Sequence, residues 1–210
     1  MDYNSLKIRF IAGFVLLIFF IFSISLYEDV LKYLVPIIYF FILIEINQNF
    51  SKGKEIIILF FYLLFSLIFL EIYLIFYYDK LFLLLFIFII IVFDTFSYLI
   101  GSIFGKKKIL PNISPNKTFL GLISGLCFSI IFSLGYNHFV NIIDTINLLI
   151  LTFLITIFAF LGDILESKFK RLSNIKNSSN FIPGHGGFFD RFDSLISSSY
   201  LLFFYNYFIS

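Results

Sequence analysis

Apolar runs bounded by charged residues recur along this chain at residues 8–26, 31–46, 56–78, 81–103, 118–136, 145–166 and 195–209. A helix needs about 20 apolar residues to cross the hydrocarbon core of a bilayer, and only the second and seventh runs fall clearly short of that. The pattern predicts an all-α polytopic membrane protein of about seven transmembrane helices. Two longer polar stretches interrupt it, residues 104–117 and 167–194, and three of the four prolines (Pro111, Pro115, Pro183) lie in them. These two loops are where a site is expected. The first run follows Lys7 and Arg9 as a signal peptide would, but no small-x-small cleavage site succeeds it, so a retained helix is expected.

Composition narrows the class. Of 210 residues, 60% are apolar and 13% charged, with a mean hydropathy of +1.03, which no soluble domain approaches. A lone cysteine, Cys127, excludes a disulfide framework, a thiolate zinc site and a CxxC redox motif. Basic residues divide unevenly between the alternating loops. Lys7, Arg9, Lys52, Lys54, Lys106, Lys107, Lys108, Lys117, Lys168, Lys170, Arg171, Lys176 and Arg191 fall on the N-terminal side, and only Lys32 and Lys80 on the other. Lys and Arg in short loops are retained on the cytoplasmic side, so the N-terminus and both long loops are expected in the cytoplasm of a multi-pass cell (inner) membrane protein. Anionic headgroups would attract the same lysines, making membrane lipids a partner. Basic loops this short and this close to a membrane give no reason to expect nucleic acid.

A carboxylate near the bilayer centre costs about 2.5–3.5 kcal/mol on insertion scales, so each acid inside a run requires an explanation. Glu45 sits near the cytoplasmic end of its run and is read as snorkelling; Glu71 is read as structural. Asp163, Glu166, Ser167, Lys170 and Arg171 are spaced at i, i+3, i+4, i+7 and i+8, which places them on one helical face. That face is either a helix end emerging into water or part of a site. Asp94, Ser97, Tyr98, Gly101, Ser102 and Gly105 repeat the spacing in the fourth run. Close helix packing accounts for the small residues but not for Asp94.

The segment Pro183-Gly184-His185-Gly186-Gly187-Phe188-Phe189-Asp190-Arg191-Phe192-Asp193 packs three glycines around one histidine, followed at once by two acids and an arginine. Glycines allow close backbone approach to a ligand, and His185 is either part of that chemistry or a turn residue. Asp163 and Asp190, on separate elements, offer the oxygen donors that hold Mg²⁺ in phosphate-handling sites. Lys117, Lys170, Arg171, Lys176 and Arg191 would supply charge for a polyphosphate. His138 is read as a solvated loop residue.

At these residues the chain resembles the phosphatidate cytidylyltransferase (CDP-diacylglycerol synthase) family. The family signature S-x-x-K-R, four residues, K-D, then P-G-H-G-G-x-x-D-R-x-D is matched by Ser167, Lys170, Arg171, Lys176, Asn177, Pro183, Gly184, His185, Gly186, Gly187, Asp190, Arg191 and Asp193. A second block, D-T-x-A-Y-x-x-G-R-x-x-G followed by S-P-x-K-T-W-E-G, is matched by Asp94, Thr95, Tyr98, Gly101, Gly105, Ser114, Pro115, Lys117, Thr118 and Gly121. Together the blocks cover about residues 90–196.

The resemblance implies transfer of a cytidylyl group from CTP to phosphatidic acid, giving CDP-diacylglycerol and pyrophosphate. It implies Mg²⁺ at Asp163 and Asp190, with room for a second cation. Lys117, Lys170, Arg171, His185 and Asp193 become catalytic candidates, and Asp94, Ser114, Ser167, Lys176, Gly186, Gly187 and Arg191 substrate-binding ones. Residues 1–93 are then N-terminal transmembrane helices and 94–210 the catalytic region, with a homodimer as the one protein partner considered. Four positions depart from the pattern: Asn177 for Asp, Leu120 for Glu, Phe119 for Trp and Ser102 for Arg. Three rivals stand beside this reading: a CTP-dependent polyprenol kinase-like enzyme, a transporter built on Asp94 and Asp163, and a non-catalytic lipid-binding descendant.

Overall fold

The computed structural model describes residues 28–51, 53–179, 181–182 and 186–209. The expected first span at 8–26 lies outside them, as do Lys7, Arg9, Lys52 and His185. The described residues form helices α1 (Glu28–Asn49), α2 (Lys54–Phe76), α3 (Lys80–Phe104), α4 (Phe119–Val140), α5 (Thr145–Leu172) and α6 (Phe189–Ile209). Between α3 and α4 a short antiparallel hairpin pairs β1 (Lys108–Leu110) with β2 (Ser114–Thr118). Among the described residues, α1 to α5 are long and apolar enough to cross a membrane. The chain is a helical, multi-pass membrane protein.

The helices begin where the sequence offers a side-chain acceptor for their unpaired N–H groups. Asp79 caps α3 by accepting from Phe82 N at 2.7 Å, and Thr118 caps α4 by accepting from Gly121 N at 3.1 Å. The α4–α5 turn is closed by Asn137, whose amide donates to Ile143 O and accepts from Ile142 N and Ile143 N. His138 lies in the last turn of α4 and is exposed, so the loop expected there is helix. The expected loop at 167–194 is helix at both ends. α5 continues to Leu172 and α6 starts at Phe189, because the polar face of each is covered by the other.

Successive helices run in alternating directions. At one end Ser51 N donates to Ser173 Oγ at 3.0 Å, joining the α1–α2 turn to the end of α5. At the other end Tyr136 donates to Leu81 O, and the rings of Phe82 and Tyr205 stack at 5.2 Å. Lys54, Lys106, Lys107, Lys108, Lys117, Lys168, Lys170, Arg171, Lys176 and Arg191 therefore gather at the first end, and Lys80 lies at the second.

Small residues set the helix separations. A Cβ on Gly101 would lie 3.2 Å from Gly121 Cα, and one on Gly121 would meet Ser97 O at 2.6 Å, so α3 and α4 touch through backbone. Gly162 plays the same part between α5 and α6. α6 is the least apolar helix, and its hydroxyls are absorbed by its neighbours: Ser197 donates to Phe158 O at 2.7 Å, Tyr200 to Tyr62 O at 2.9 Å, and Ser66 of α2 to Ile196 O at 2.8 Å. Around this polar seam the core is aliphatic and aromatic, with Ile42, Leu63, Tyr73, Phe86 and Phe189 almost completely buried.

Candidate active site

The basic end of the bundle holds a cleft of about 440 Å³ between α3, the hairpin, α5 and α6. Five carboxylates line it, Asp94, Asp163, Glu166, Asp190 and Asp193, together with the cations Lys117, Lys170 and Arg191. Each comes from a different constraint. Asp94 is about two turns ahead of Gly101, where α3 is held against α4. Lys117 sits on β2, immediately before the Thr118 cap. Asp163 follows Gly162, the residue that lets α5 approach the backbone of Asp193.

Lys117 reaches across the cleft. Its ammonium lies 2.7 Å from Asp163 Oδ2, 3.3 Å from Phe160 O and 4.5 Å from the centre of the Phe160 ring. Lys170 stands between two acids, 2.6 Å from Glu166 Oε1 and 2.8 Å from Asp190 Oδ1. The remaining oxygen of Asp190 accepts from Ser178 N at 2.9 Å, Ser178 Oγ at 3.0 Å and Gly187 N at 2.8 Å. Gly186 has φ +85°, and a Cβ there would fall 2.4 Å from Asp190 Oδ2, which explains a glycine at that position.

The donor set fits a hard divalent cation. Asp163, Glu166 and Asp193 each present an oxygen, and all three oxygens lie within 4.8 Å of one another. Octahedral Mg²⁺ at 2.0–2.1 Å requires ligand oxygens roughly 2.9–4.2 Å apart, so small side-chain rotations close the group on an ion. Five acids against three bases also leave the cleft with more negative than positive side chains, an imbalance that a divalent cation would offset.

Of the residues singled out in the sequence, Asp94, Ser114, Lys117, Asp163, Lys170, Asp190, Arg191 and Asp193 line this cleft. Others do not. Arg171 turns outward and donates to Ile113 O and Ile175 O at 3.3 Å, tying the hairpin to the end of α5. Lys176 is exposed outside the cleft, Ser167 is buried in the helix contact, and Gly186 and Gly187 lie behind Asp190. The compact acid group pairs Asp163 with Glu166 and Asp193, whereas Asp190 is engaged by protein donors. Three of the four departures from the family pattern fall outside the cleft lining: Leu120 is exposed on α4, Phe119 lies 5.2 Å beneath the Lys107 ammonium, and Ser102 donates to Leu99 O. Asn177 alone lines it.

Glu45 was missed. It does not snorkel: it is fully buried, and its carboxylate accepts four hydrogen bonds from the segment leading into α6. Its sequence signal, an acid near a span end, is indistinguishable from a snorkelling one.

Taken together, these features define a class, a multi-pass membrane protein whose acidic, lysine-lined cleft opens at the basic end of its helices. Residues 2–209 match the family described as the Cytidylyltransferase family, and the chain belongs to it. Among curated proteins it is similar to the phosphatidate cytidylyltransferase of Staphylococcus aureus (strain COL), 45% identical over 104 residues, which cover 49% of this chain and 40% of that protein. Its likeness to the phosphatidate cytidylyltransferase of Haemophilus influenzae is 41% over 137 residues, covering 60% of this chain and 48% of the relative. That of Staphylococcus haemolyticus is 47% identical over 104 residues, 49% and 40% of the two chains. The matches thus span half or less of these relatives' length.

Proposed function

We propose that this chain transfers a cytidylyl group from CTP to phosphatidic acid, forming CDP-diacylglycerol and releasing pyrophosphate. The observation that carries the reading is the cleft itself, where Lys117 and Lys170 face Asp163, Glu166 and Asp193 at one end of the bundle. The names of its relatives support the same reaction.

In that reaction an oxygen of the lipid phosphate bonds to the α-phosphorus of CTP while the bond from that phosphorus to the bridging oxygen breaks and pyrophosphate departs. A phosphomonoester has a second pKa near 6 and is largely dianionic at neutral pH, so no strong general base is required. The protein's task is positioning and charge neutralisation. Lys117, Lys170 and Arg191 bring positive charge against the phosphates, and Asp94 and Ser114 bound the cleft. Asp163 is the first residue proposed to hold Mg²⁺, with Glu166 and Asp193 beside it and Asp190 one contact away through Lys170. Such an ion would offset phosphate charge and orient the triphosphate. Tyr98, largely exposed on α3 and also lining the cleft, marks the side open to a lipid.

The uneven distribution of basic residues supports a cytoplasmic cleft in the cell membrane. Seven spans remain the proposed total, with the run at 8–26 as the first and α6 as the last. The assay is direct: purified protein in detergent with labelled CTP, phosphatidic acid and Mg²⁺, analysed for CDP-lipid. Pyrophosphate as the co-product supports the synthase; CDP as the co-product would identify a kinase instead, and no turnover would leave the reading without support.

A further inference from the structure

Glu45 lies near the C-terminus of α1, remote in sequence from both motif blocks. Its Oε1 accepts from Ser179 Oγ at 2.8 Å and Phe188 N at 2.7 Å; its Oε2 accepts from Ser178 Oγ at 3.1 Å and Phe189 N at 3.0 Å. The donors come in pairs from the two ends of segment 178–189. One carboxylate therefore ties Ser178 and Ser179 to the start of α6 and takes up the first N–H groups of that helix, where the helix dipole favours an anion. Gly187 is pressed against it: a Cβ there would fall 2.5 and 2.6 Å from its two oxygens. Ser178 Oγ is shared with Asp190 Oδ2 at 3.0 Å, and the other oxygen of Asp190 meets Lys170. Contacts thus run unbroken from Glu45 through Ser178, Asp190 and Lys170 to Glu166.

A buried charge is a poor stabilising device, because its desolvation offsets what its partners return; a defined arrangement of those partners is a better reason to keep one. We propose that Glu45 is a positioning residue, fixing Ser178, Ser179 and the start of α6 so that Asp190 and Lys170 are held at the cleft. The structural part rests on geometry alone. Only the kinetic consequence rests on the proposed reaction.

The test uses the full chain with Glu45→Gln, Glu45→Asp and, as a control, Ser66→Ala, which removes buried hydrogen bonds to Tyr39, Ser199 and Ile196 O away from the cleft. Hydrogen–deuterium exchange over residues 186–192 reads the mooring, and turnover against Mg²⁺ concentration reads its effect. In Glu45→Gln an amide nitrogen must face a backbone N–H, so exchange should quicken and kcat fall by about 10- to 100-fold, the usual effect of losing an outer-shell partner, with more Mg²⁺ needed for half activity. Glu45→Asp, which keeps the charge, should recover part of the loss. Ser66→Ala should lower Tm and leave kcat unchanged. Should Glu45→Gln fail to fold, Ser178→Ala carries the test with the same expected direction. Wild-type exchange and kcat in the folded variant, or a lower Tm as the only change, would overturn the proposal. A wild-type protein that makes no CDP-lipid would sink the proposed reaction instead, and the exchange comparison would still decide the role of Glu45.

Discussion

Alanine at position 162 adds one methyl group at the tightest point between α5 and α6. A Cβ there would lie 2.1 Å from Ser197 Oγ, 2.5 Å from Asp193 O and 2.7 Å from Ser197 Cβ. The hydroxyl has little freedom to retreat, since it already donates towards Phe158 O, Asp193 O and Ser194 O. The carbonyl belongs to the backbone of α6 and moves only with it. Taking that contact from 2.5 Å to an ordinary 3.4 Å displaces the helices by about 0.9 Å. Overpacking of this kind costs about 1–3 kcal/mol. The atoms that shift are those of Asp193, against the residue preceding Asp163, so the acid group opens as well; a misplacement near 1 Å costs roughly 100-fold in rate. The assay is turnover with CTP and phosphatidic acid beside a thermal unfolding curve in the same detergent. Gly135→Ala is the internal control, because nothing lies within 4 Å of a Cβ there, and it should gain up to about 1 kcal/mol from helix propensity. Wild-type Tm and turnover in Gly162→Ala would refute the claim that close backbone contact sets the site.

Three further outcomes are expected. Asp163→Asn removes the proposed cation ligand and the partner of Lys117, so turnover should vanish at all Mg²⁺ concentrations while unfolding stays cooperative; near-normal turnover would end the ligand assignment. Asn177→Asp restores the family acid at a position lining the cleft and should leave activity equal or higher, whereas a collapse would mean the site is tuned around the amide. Cysteines introduced at Lys107 and Lys176 should resist impermeant maleimide in whole cells and react once the membrane is opened; labelling from outside would invert the orientation.

Hydropathy located the described spans to within a few residues because the bilayer imposes one length and one composition on every crossing segment. It missed the hairpin at 108–118, where lysines and prolines read as loop and only the pairing of Lys108 with Thr118 and Leu110 with Ser114 makes a strand. It also misplaced the polar ends of α5 and α6, whose helical turns are covered by each other instead of by lipid. The motif blocks identified most of the cleft because they are local. What they could not disclose is direction: Arg171 shares a helical face with Lys170 by spacing, yet turns to Ile113 O because the hairpin lies beside it. Nor could any local pattern have paired Glu45 with Phe188, 143 residues away.

The hydroxyl-rich seam of α6 bears on how such a protein is made. The helix is poor in the apolar residues that would hold it in lipid by itself, and its serines and Tyr200 bond to α2 and α5. During synthesis those partners are already in the membrane when α6 emerges, so its insertion and its docking are coupled events. Asp190, Arg191 and Asp193 arrive with it. Until that helix is seated the nascent chain can pair Lys117 with Asp163 and Lys170 with Glu166 but lacks the α6 side of the site, and therefore acquires a complete cleft only when α6 docks.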